Sequence, residues 1–222
     1  MTAWAWGVSR IIDALETTPG AKLNPKRVGV TGCSRNGKGA FMAGVLEPRI
    51  ALTMPQESGD GGDACWRLTA YENQNGGAAQ PATQIVGENP WFSKNFENYV
   101  TNLNALPYDH HSLAAAIAPR ALLSYENTDY KWLSPMSGWG CVSAAHTVYQ
   151  ALGVPQNHGF IQDAGHGHCS FPSNQQASAF AFQNKFLRDQ DVSTNYFTTN
   201  NQFGGPTFTP ANWITWTTPT LT

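Results

Sequence analysis

Long apolar runs and clusters of like charge are both absent from this sequence of 222 residues. No apolar stretch approaches the roughly 20 residues that span a bilayer, and the N-terminus shows no basic-then-apolar signal region. Charged residues make up 13% of the chain and the formal net charge is −2; the globular average is roughly 25% charged. Lysine and arginine are scattered. We therefore expect neither nucleic acid nor a membrane as a partner.

The chain also lacks the residue spacing of a metal site. Its four cysteines, Cys33, Cys65, Cys141 and Cys169, lie too far apart for a zinc motif. No histidine, cysteine and aspartate cluster has ligand spacing, so we expect no metal and no organic cofactor. The cysteines either pair in an oxidising compartment or remain buried thiols, and three pairings are possible.

No proline- or serine-rich linker divides the chain, so one domain with a substantial core is expected. Helical periodicity from Trp4 to Leu15, stopped by Pro19 and Gly20, predicts a packed first helix. Four apolar stretches predict buried strands, at 27–31, 50–54, 121–125 and 159–162. Further helices are predicted at 39–46 and 139–152. This alternation favours a parallel sheet.

Two other regions are less regular. Residues 57–110 are rich in glycine, asparagine, glutamine and aromatics, and only 91–103 has helical periodicity. We expect loops over a site there. After Asp191 there is no charged residue, and we predict that this tail, with Trp213 and Trp216, lies extended on the body of the protein. A sugar-binding platform is the alternative.

Ser34 stands where an apolar strand ends in glycine and a helix could begin. This arrangement is typical of a nucleophile elbow, a tight strand-to-helix turn that needs very small neighbours. Gly32 and Gly37, two before and three after the serine, nearly supply the G-x-S-x-G pattern, which is shifted by one at its second glycine. A loop serine without a function is the alternative.

A nucleophilic serine needs a base, a group that orients the base, and donors for the oxyanion. His166 and His168 follow the last predicted strand, where an α/β-hydrolase places its base. Ser34 has a cysteine neighbour, Cys33. His168 has one too, Cys169, and is therefore favoured over His166. The other histidines are expected to be structural or on the surface.

The acid has two candidate positions. Glu57 follows the strand 50–54, whereas Glu126 and Asp129 follow the strand 121–125, the position that most α/β-hydrolases use. Either position can reach a histidine on a late loop. Glu57 could instead be a loop carboxylate that caps backbone amides.

A bridge between Cys33 and Cys169 would hold the neighbouring serine and histidine close, because a disulfide fixes its Cα atoms about 5.5 Å apart. This pairing leaves Cys65 with Cys141. Four unpaired core cysteines remain the alternative.

Four separated blocks of sequence carry a family resemblance. They are GCSRNGKGA at 32–40, PQESGDGG at 55–62, CWR at 65–67 and GHGHCSFP at 165–172. Together they resemble the glucuronoyl esterases, carbohydrate esterase family 15, in which a cysteine precedes the nucleophilic serine and an arginine follows it. The blocks stand in the family's order, which an accidental serine turn would not reproduce.

The resemblance implies roles for individual residues. Ser34 matches the nucleophile, His168 the base, Glu57 the acid, and Arg35 the residue that helps to stabilise the oxyanion. The positions that match the family's glucuronate-binding residues are Lys38, Gln80, Glu88 and Trp132. Their chemistry suits a sugar, because amide, ammonium and carboxylate groups bond hydroxyls and an indole offers an apolar face. The cysteines fit the disulfides of the fungal members, and this implies a secreted protein.

The implied fold is α/β, an α/β-hydrolase-like three-layer sandwich with a mostly parallel sheet. One departure stands out: the strands that such a fold places before its elbow are missing. We therefore expect residues 1–222 to be the C-terminal portion of a single α/β-hydrolase catalytic domain, truncated at the N-terminus. A loop after an early strand usually supplies one oxyanion donor, so part of the catalytic apparatus is expected to be absent.

The implied activity is that of a monomeric serine esterase. It would cleave esters of 4-O-methyl-glucuronic acid, which join glucuronoxylan to lignin alcohols. Two alternatives remain: another cell-wall esterase, such as an acetyl xylan or feruloyl esterase, or an inactive carbohydrate-binding remnant. Arg35 and Lys38 argue against the first, because a neutral acyl group would not call for two cations beside the nucleophile.

Overall fold

A single five-stranded sheet organises the chain. The computed structural model describes residues 1–221. The sheet has the order β1-β2-β3-β4-β5, and all of its neighbouring strands are parallel, as the sequence predicted. The strands are β1 (Val28–Cys33), β2 (Ile50–Gln56), β3 (Ala121–Asn127), β4 (His158–Asp163) and β5 (Phe197–Thr199).

Within residues 1–221, eight α-helices surround the sheet: α1 (Thr2–Thr17), α2 (Arg35–Leu46), α3 (Trp66–Gln74), α4 (Ala82–Glu88), α5 (Lys94–Glu97), α6 (His110–Ala115), α7 (Pro135–Ala151) and α8 (Ser173–Arg188). Short 3-10 helices lie at Pro19–Ala21, Leu103–Ala105, Lys131–Leu133, Pro155–Asn157 and Pro210–Asn212. No helix within residues 1–221 combines the length and the apolar character needed to cross a membrane.

Helices cover both faces of the sheet. On one face, Phe182 of α8 packs against Leu52 and Leu123. On the other, Phe41 of α2 and Tyr149 of α7 pack around Leu122 with side chains of α6. Strands β2 and β3 are buried on both sides because they lie inside this sandwich, and their sequences are accordingly near-continuous apolar runs. The three-layer α/β architecture is therefore confirmed.

The first strand and the first helix differ from the prediction. Strand β1 is an edge strand whose residues are half-buried or exposed. The sequence predicted a buried strand at 27–31, so the strand is confirmed but its predicted burial is wrong. Helix α1 packs only a narrow stripe, with Ile12 against Ile50. Ile11, an apolar residue inside the stretch predicted to form a packed helix, is 62% exposed.

The middle region and the tail contain elements that the sequence patterns did not reveal. Residues 91–103 do not form one helix: only the four residues of α5 are α-helical there. Helix α8 and strand β5 were not predicted. The tail otherwise lies extended on the body, as predicted, since Phe203 is buried and the Trp213 ring lies edge-on to Tyr71 with their centroids 5.2 Å apart.

Candidate active site

The carboxyl ends of neighbouring strands bring the candidate residues to one edge of the sheet. Ser34 directly follows β1, Glu57 directly follows β2, and His168 lies in the loop after β4. The register pairs Cys33 with Gln56 at the ends of the first two strands. In a parallel sheet all of these ends face the same side, which is where such folds bind ligands.

Ser34 occupies a strained turn. Its backbone has φ 57° and ψ −124°, in the region that favours glycine, and its N–H donates to the carbonyl of Gln56 at 2.9 Å. A Cβ on Gly32 would lie 2.4 Å from the carbonyl oxygen of Asn36, and one on Gly37 would lie 2.7 Å from that of Gln56. Both close approaches are to backbone, so both positions require glycine. Gly37, the glycine shifted by one from the G-x-S-x-G pattern, is thus the residue that packs against the backbone at the end of β2.

His168 is hydrogen-bonded to Glu57 through Nδ1 and Oε2. The same carboxylate oxygen accepts the backbone N–H of Cys169 at 3.1 Å. Glu57 is 1% exposed and has φ 46°, and its own N–H donates to the carbonyl of Tyr125. The backbone N–H of His168 donates to the Tyr130 hydroxyl at 2.7 Å. The imidazole is therefore fixed in orientation by a buried acid behind it.

The two other acid candidates bind backbone amides instead. Glu126 accepts the N–H groups of Ser58 at 2.7 Å and Gly59 at 3.3 Å through Oε1. Asp129 accepts the N–H of Gly165 at 2.7 Å. Both carboxylates therefore brace the loops that carry the site, and Glu57 is the candidate that contacts His168.

Both disulfides that we predicted are present. Cys33 and Cys169 are bridged with Cα atoms 5.6 Å apart, and Cys65 and Cys141 with Cα atoms 5.3 Å apart. The first bridge joins the neighbours of Ser34 and His168. Within residues 1–221, its two sulfur atoms and a His168 nitrogen are the one group of potential metal ligands that lie close together. Bridged sulfurs offer no thiolate, so this group is not a metal site.

A cavity of about 230 Å³ opens above Ser34 and His168. The predicted residues that line it are Ser34, Arg35, Lys38, Gln80, Glu88, Trp132 and His168. Glu57 lies behind His168, outside the lining. The cavity also contains Trp91 and Leu133, which the sequence analysis did not single out. Trp91 lies under the guanidinium of Arg35, 5.8 Å from its carbon to the ring centroid. Its place in an aromatic-rich stretch was the available signal.

Lys38 is a buried cation at the base of this cavity. Its Nζ donates to the carbonyls of Ser58 at 2.6 Å and Asp60 at 2.7 Å, which leaves one ammonium hydrogen for a ligand. Burial lowers the pKa of Lys38 to about 8, although the nearby carboxylates of Asp60, Glu126 and Glu88 oppose that shift.

The far wall of the cavity is preorganised for a polar ring. The amide of Gln80 donates to Glu88 at 2.8 Å, so each holds the other in place. Trp132 is 46% exposed, and its ring centroid lies 5.9 Å from that of His168. An exposed indole next to a paired amide and carboxylate is a surface that suits a sugar with several hydroxyls.

A network of buried acids that the sequence did not reveal lies beneath the cavity. Asp63 accepts the hydroxyls of Ser58 at 3.1 Å and Ser124 at 3.0 Å. Burial raises the pKa of Asp63 to about 7 and that of Asp60 to about 8. The SGDGG run is visible in the sequence, but nothing in it shows that its carboxylates turn inward.

Comparison with known proteins identifies the family. The family model for fungal glucuronyl esterases matches residues 1–153. The chain belongs to this family. The 4-O-methyl-glucuronoyl methylesterase of Schizophyllum commune is 69% identical over 221 residues, which are 100% of this chain and 56% of that protein. The 4-O-methyl-glucuronoyl methylesterase 1 of Phanerochaete chrysosporium is 68% identical, over 100% of this chain and 47% of that protein.

Solved glucuronoyl esterase structures share the fold. The glucuronoyl esterase catalytic domain from Hypocrea jecorina matches with a TM-score of 0.94 and 53% identity, over 100% of this chain and 60% of that one. A serine-to-alanine mutant from Sporotrichum thermophile, in complex with methyl 4-O-methyl-β-D-glucopyranuronate, matches with a TM-score of 0.91 and 46% identity, over 97% of this chain and 57% of that one. The chain thus spans about half the length of the relatives that it matches.

Proposed function

We propose that this glucuronyl esterase family member hydrolyses esters of 4-O-methyl-glucuronic acid, with Ser34 as nucleophile, His168 as base and Glu57 as acid. The observation that carries the proposal is the position of His168. It contacts the buried Glu57 on one side, and on the other it lines the same cavity as Ser34. A carboxylate, an imidazole and a hydroxyl in this order form the acyl-transfer triad found on many folds.

The reaction proceeds in two halves. His168 accepts the Ser34 proton while the serine oxygen attacks the uronate carbonyl, and Glu57 stabilises the imidazolium. The Arg35 guanidinium and its backbone N–H, at the start of helix α2, stabilise the negative charge that develops on the carbonyl oxygen. His168 then gives its proton to the departing alcohol. Water attacks the acyl-enzyme by the same route and releases glucuronate.

The sugar lies across the remaining cavity wall. Lys38 donates its free ammonium hydrogen to a sugar oxygen, the Gln80 and Glu88 pair bonds hydroxyls, and Trp132 covers an apolar face of the ring. Because these groups are already held in place, binding loses little side-chain entropy.

The wider biological setting follows from the same proposal. The natural substrates are the esters between glucuronoxylan and lignin alcohols, and the protein acts as a monomer outside the cell. Two disulfides support an oxidising compartment. The methyl glucuronate in the Sporotrichum thermophile complex supports the acid part of the substrate.

Substrate comparison tests the proposed reaction. We would measure kcat/KM on the benzyl ester of 4-O-methyl-glucuronic acid, on acetylated xylan and on a feruloyl ester. A preference of at least about 100-fold for the glucuronate ester is expected, because a site that bonds several polar groups rejects analogues without them. Faster turnover of the acetyl or feruloyl ester than of the glucuronate ester would contradict the proposed function. Binding of xylan without hydrolysis of any ester would also contradict it.

We also propose that residues 1–222 are the C-terminal portion of a single catalytic domain. Strand β1 supports this, since it pairs only with β2 among the strands of residues 1–221 and leaves an exposed edge. A version extended upstream to the length of the relatives should be more soluble and about 10²–10³-fold more active, the usual effect of one oxyanion donor. Equal activity of the two versions would overturn this proposal.

A further inference from the structure

A second histidine lies behind the acid of the proposed triad. The side chain of His166 is only 7% exposed. Its Nε2 lies 2.9 Å from Asp163 Oδ1, and its Nδ1 lies 3.7 Å from Glu57 Oε1. His166 therefore sits between two carboxylates, one at the end of β4 and one directly after β2.

The two oxygens of Glu57 have different surroundings. Oε2 accepts from His168 and from the backbone N–H of Cys169. Oε1 is buried and accepts no hydrogen bond from any of residues 1–221. A buried carboxylate oxygen without a donor is costly, so such an atom calls for an explanation. The ion-pair partner on that side is His166.

We propose that His166 is a positioning residue of the catalytic centre, held as a cation between Asp163 and Glu57, and that it tunes the proton transfer at His168 through Glu57. This inference rests on the proposed ester hydrolysis. It extends the triad by two members, in the order Asp163, His166, Glu57, His168.

The other groups around His166 decide its protonation state. Asn127 of β3 offers its amide to Nδ1 at 3.2 Å, which suits a neutral ring, and Gln175 of α8 approaches Nε2 at 3.4 Å. The carbonyl of Gly167 lies 3.2 Å from Nδ1 and needs a proton there. Further titratable groups on this side are His168 and Asp129, and the Asp129 carboxylate accepts the backbone N–H of Gly165.

The balance of these contacts favours the cation. Burial by itself lowers the pKa of His166. The hydrogen bonds to Asp163 and the Gly167 carbonyl, together with the charges of Asp163 and Glu57, outweigh burial and raise that pKa above its usual value. Two carboxylates thus face one imidazolium, and its charge lies within ion-pair distance, 3.7 Å, of the Glu57 oxygen that accepts no hydrogen bond from residues 1–221.

A cation on this side changes how strongly Glu57 attracts a proton to His168. Part of the carboxylate charge is compensated by His166, so less of it stabilises the imidazolium of His168 in the resting enzyme. His168 therefore stays unprotonated, and able to accept the Ser34 proton, to a lower pH. Removal of the His166 charge should therefore raise the pH below which kcat/KM falls.

The pH dependence of kcat/KM in the variant His166→Gln tests this role. We expect the midpoint of the acid limb to move upward by about one pH unit, the effect of one nearby charge in partly buried surroundings. Activity at the pH plateau should fall less than about tenfold. The matched control is His111→Gln, a half-buried histidine next to Trp216, whose profile should equal that of the parent.

Two outcomes would overturn the proposal. One is an unchanged profile in His166→Gln. The other is an equal loss of activity at every pH with an unmoved midpoint, because this is what a merely structural histidine would give.

A second measurement is independent of esterase activity. In the parent protein, ¹⁵N NMR of the histidine rings should show His166 protonated on both nitrogens at a pH of about 6.5, the usual histidine midpoint. His111, whose pKa burial lowers, should be neutral there. The variant Asp163→Asn should lower the His166 midpoint. A neutral His166 ring at this pH would refute the inference, whereas correct ring protonation with no ester hydrolysis would instead refute the proposed function.

Discussion

Two loops meet at the proposed active site. Loop 57–63 is buried and held by hydrogen bonds, and loop 165–172 is largely exposed and also held by a disulfide. Residues 57–63, which begin with the acid Glu57, are all buried. Glu126 holds two backbone N–H groups of this loop and Lys38 holds two of its carbonyls. Residues 165–172, which carry His168, are largely exposed, and the bridge from Cys169 to Cys33 fixes them covalently.

The difference follows from what each loop must do. In the proposed mechanism Glu57 acts from behind His168 and never needs to meet the substrate, so it can be fixed by hydrogen bonds away from water, where such networks are strong. The base has to face the cavity, and an exposed loop has few buried contacts to hold it. The disulfide at Cys169 adds a covalent constraint to the hydrogen bonds that this loop makes to Asp129, Tyr130 and Glu57.

The largest effect is expected from substitution of Ser34 and His168, the proposed nucleophile and base. Ser34→Ala and His168→Ala should each lower kcat by about 10⁴-fold or more, the usual result of removing a triad member. His166→Ala, two residues away on the same loop, is the control and should keep much of the activity at the pH plateau. An inactive His166→Ala beside an active His168→Ala would show that the base is assigned to the wrong histidine.

The next effect separates the acid from the carboxylates that brace the loops. Glu57→Gln should lower kcat by about 10³–10⁴-fold, since the imidazolium loses its partner. The kcat of Glu126→Gln should stay within about tenfold of the parent value. Burial raises the pKa of Glu126 well above its usual value, which favours the neutral acid, and the neutral amide of glutamine keeps an oxygen that can accept the same hydrogen bonds. Asp129→Asn should be nearly silent. Steady-state kinetics of the three variants would rank them, and a severe loss in Asp129→Asn would reverse the assignment.

Removal of each disulfide tests the covalent hold on the base loop. The bridges close loops with sequence separations of 136 and 76 residues, so in the chain-entropy model each is worth about 4–5 kcal/mol of stability. Replacing Cys33 and Cys169 by alanine should also lower kcat about 10- to 100-fold, because His168 would drift from Ser34. The matched pair, Cys65→Ala with Cys141→Ala, should lower only the unfolding free energy. Equal kcat values in both double variants would contradict this distinction, and non-reducing peptide mapping would verify the pairing.

The smallest expected effect is on the pH dependence of the unfolding free energy, through Asp63 in the buried loop 57–63. Asp63 has a folded-state pKa of about 7, whereas an unfolded aspartate has about 3.9. Its raised value means that the folded state binds more protons, so its contribution to stability is full below pH 4 and falls as the pH rises through 7. Between pH 6 and 8 the contribution of Asp63 to the unfolding free energy should fall by about 1.4 kcal/mol. In denaturant titrations, the unfolding free energy of Asp63→Asn should depend less steeply on pH than that of the parent protein. An equal pH dependence in both proteins would contradict the raised pKa of Asp63.

The sequence predicted more of the site than of its surroundings. The glycines around Ser34 and the order of the blocks are local signals. They pointed to a tight turn at Ser34, to a cavity that Ser34 and His168 line together, and to both disulfides, all of which are present in the structure. Strand β5 was missed because a three-residue strand leaves no periodicity to read. The burial predicted for β1 was wrong because, among the strands of residues 1–221, β1 pairs only with β2 and its outer edge is uncovered.

Local sequence by itself determined the tight turn at Ser34, since only glycine fits where backbone meets backbone at Gly32 and Gly37. The family resemblance pointed to Glu57 among the three candidate carboxylates, but which of them contacts His168 was decided by the tertiary structure. All three carboxylates follow strands that end at the same edge, and the register and the inward turn of loop 57–63 select the one that contacts His168. The place of His166 beside Glu57 was also decided there, because the two carboxylates flank this histidine only once β2 and β4 have been brought to the same sheet.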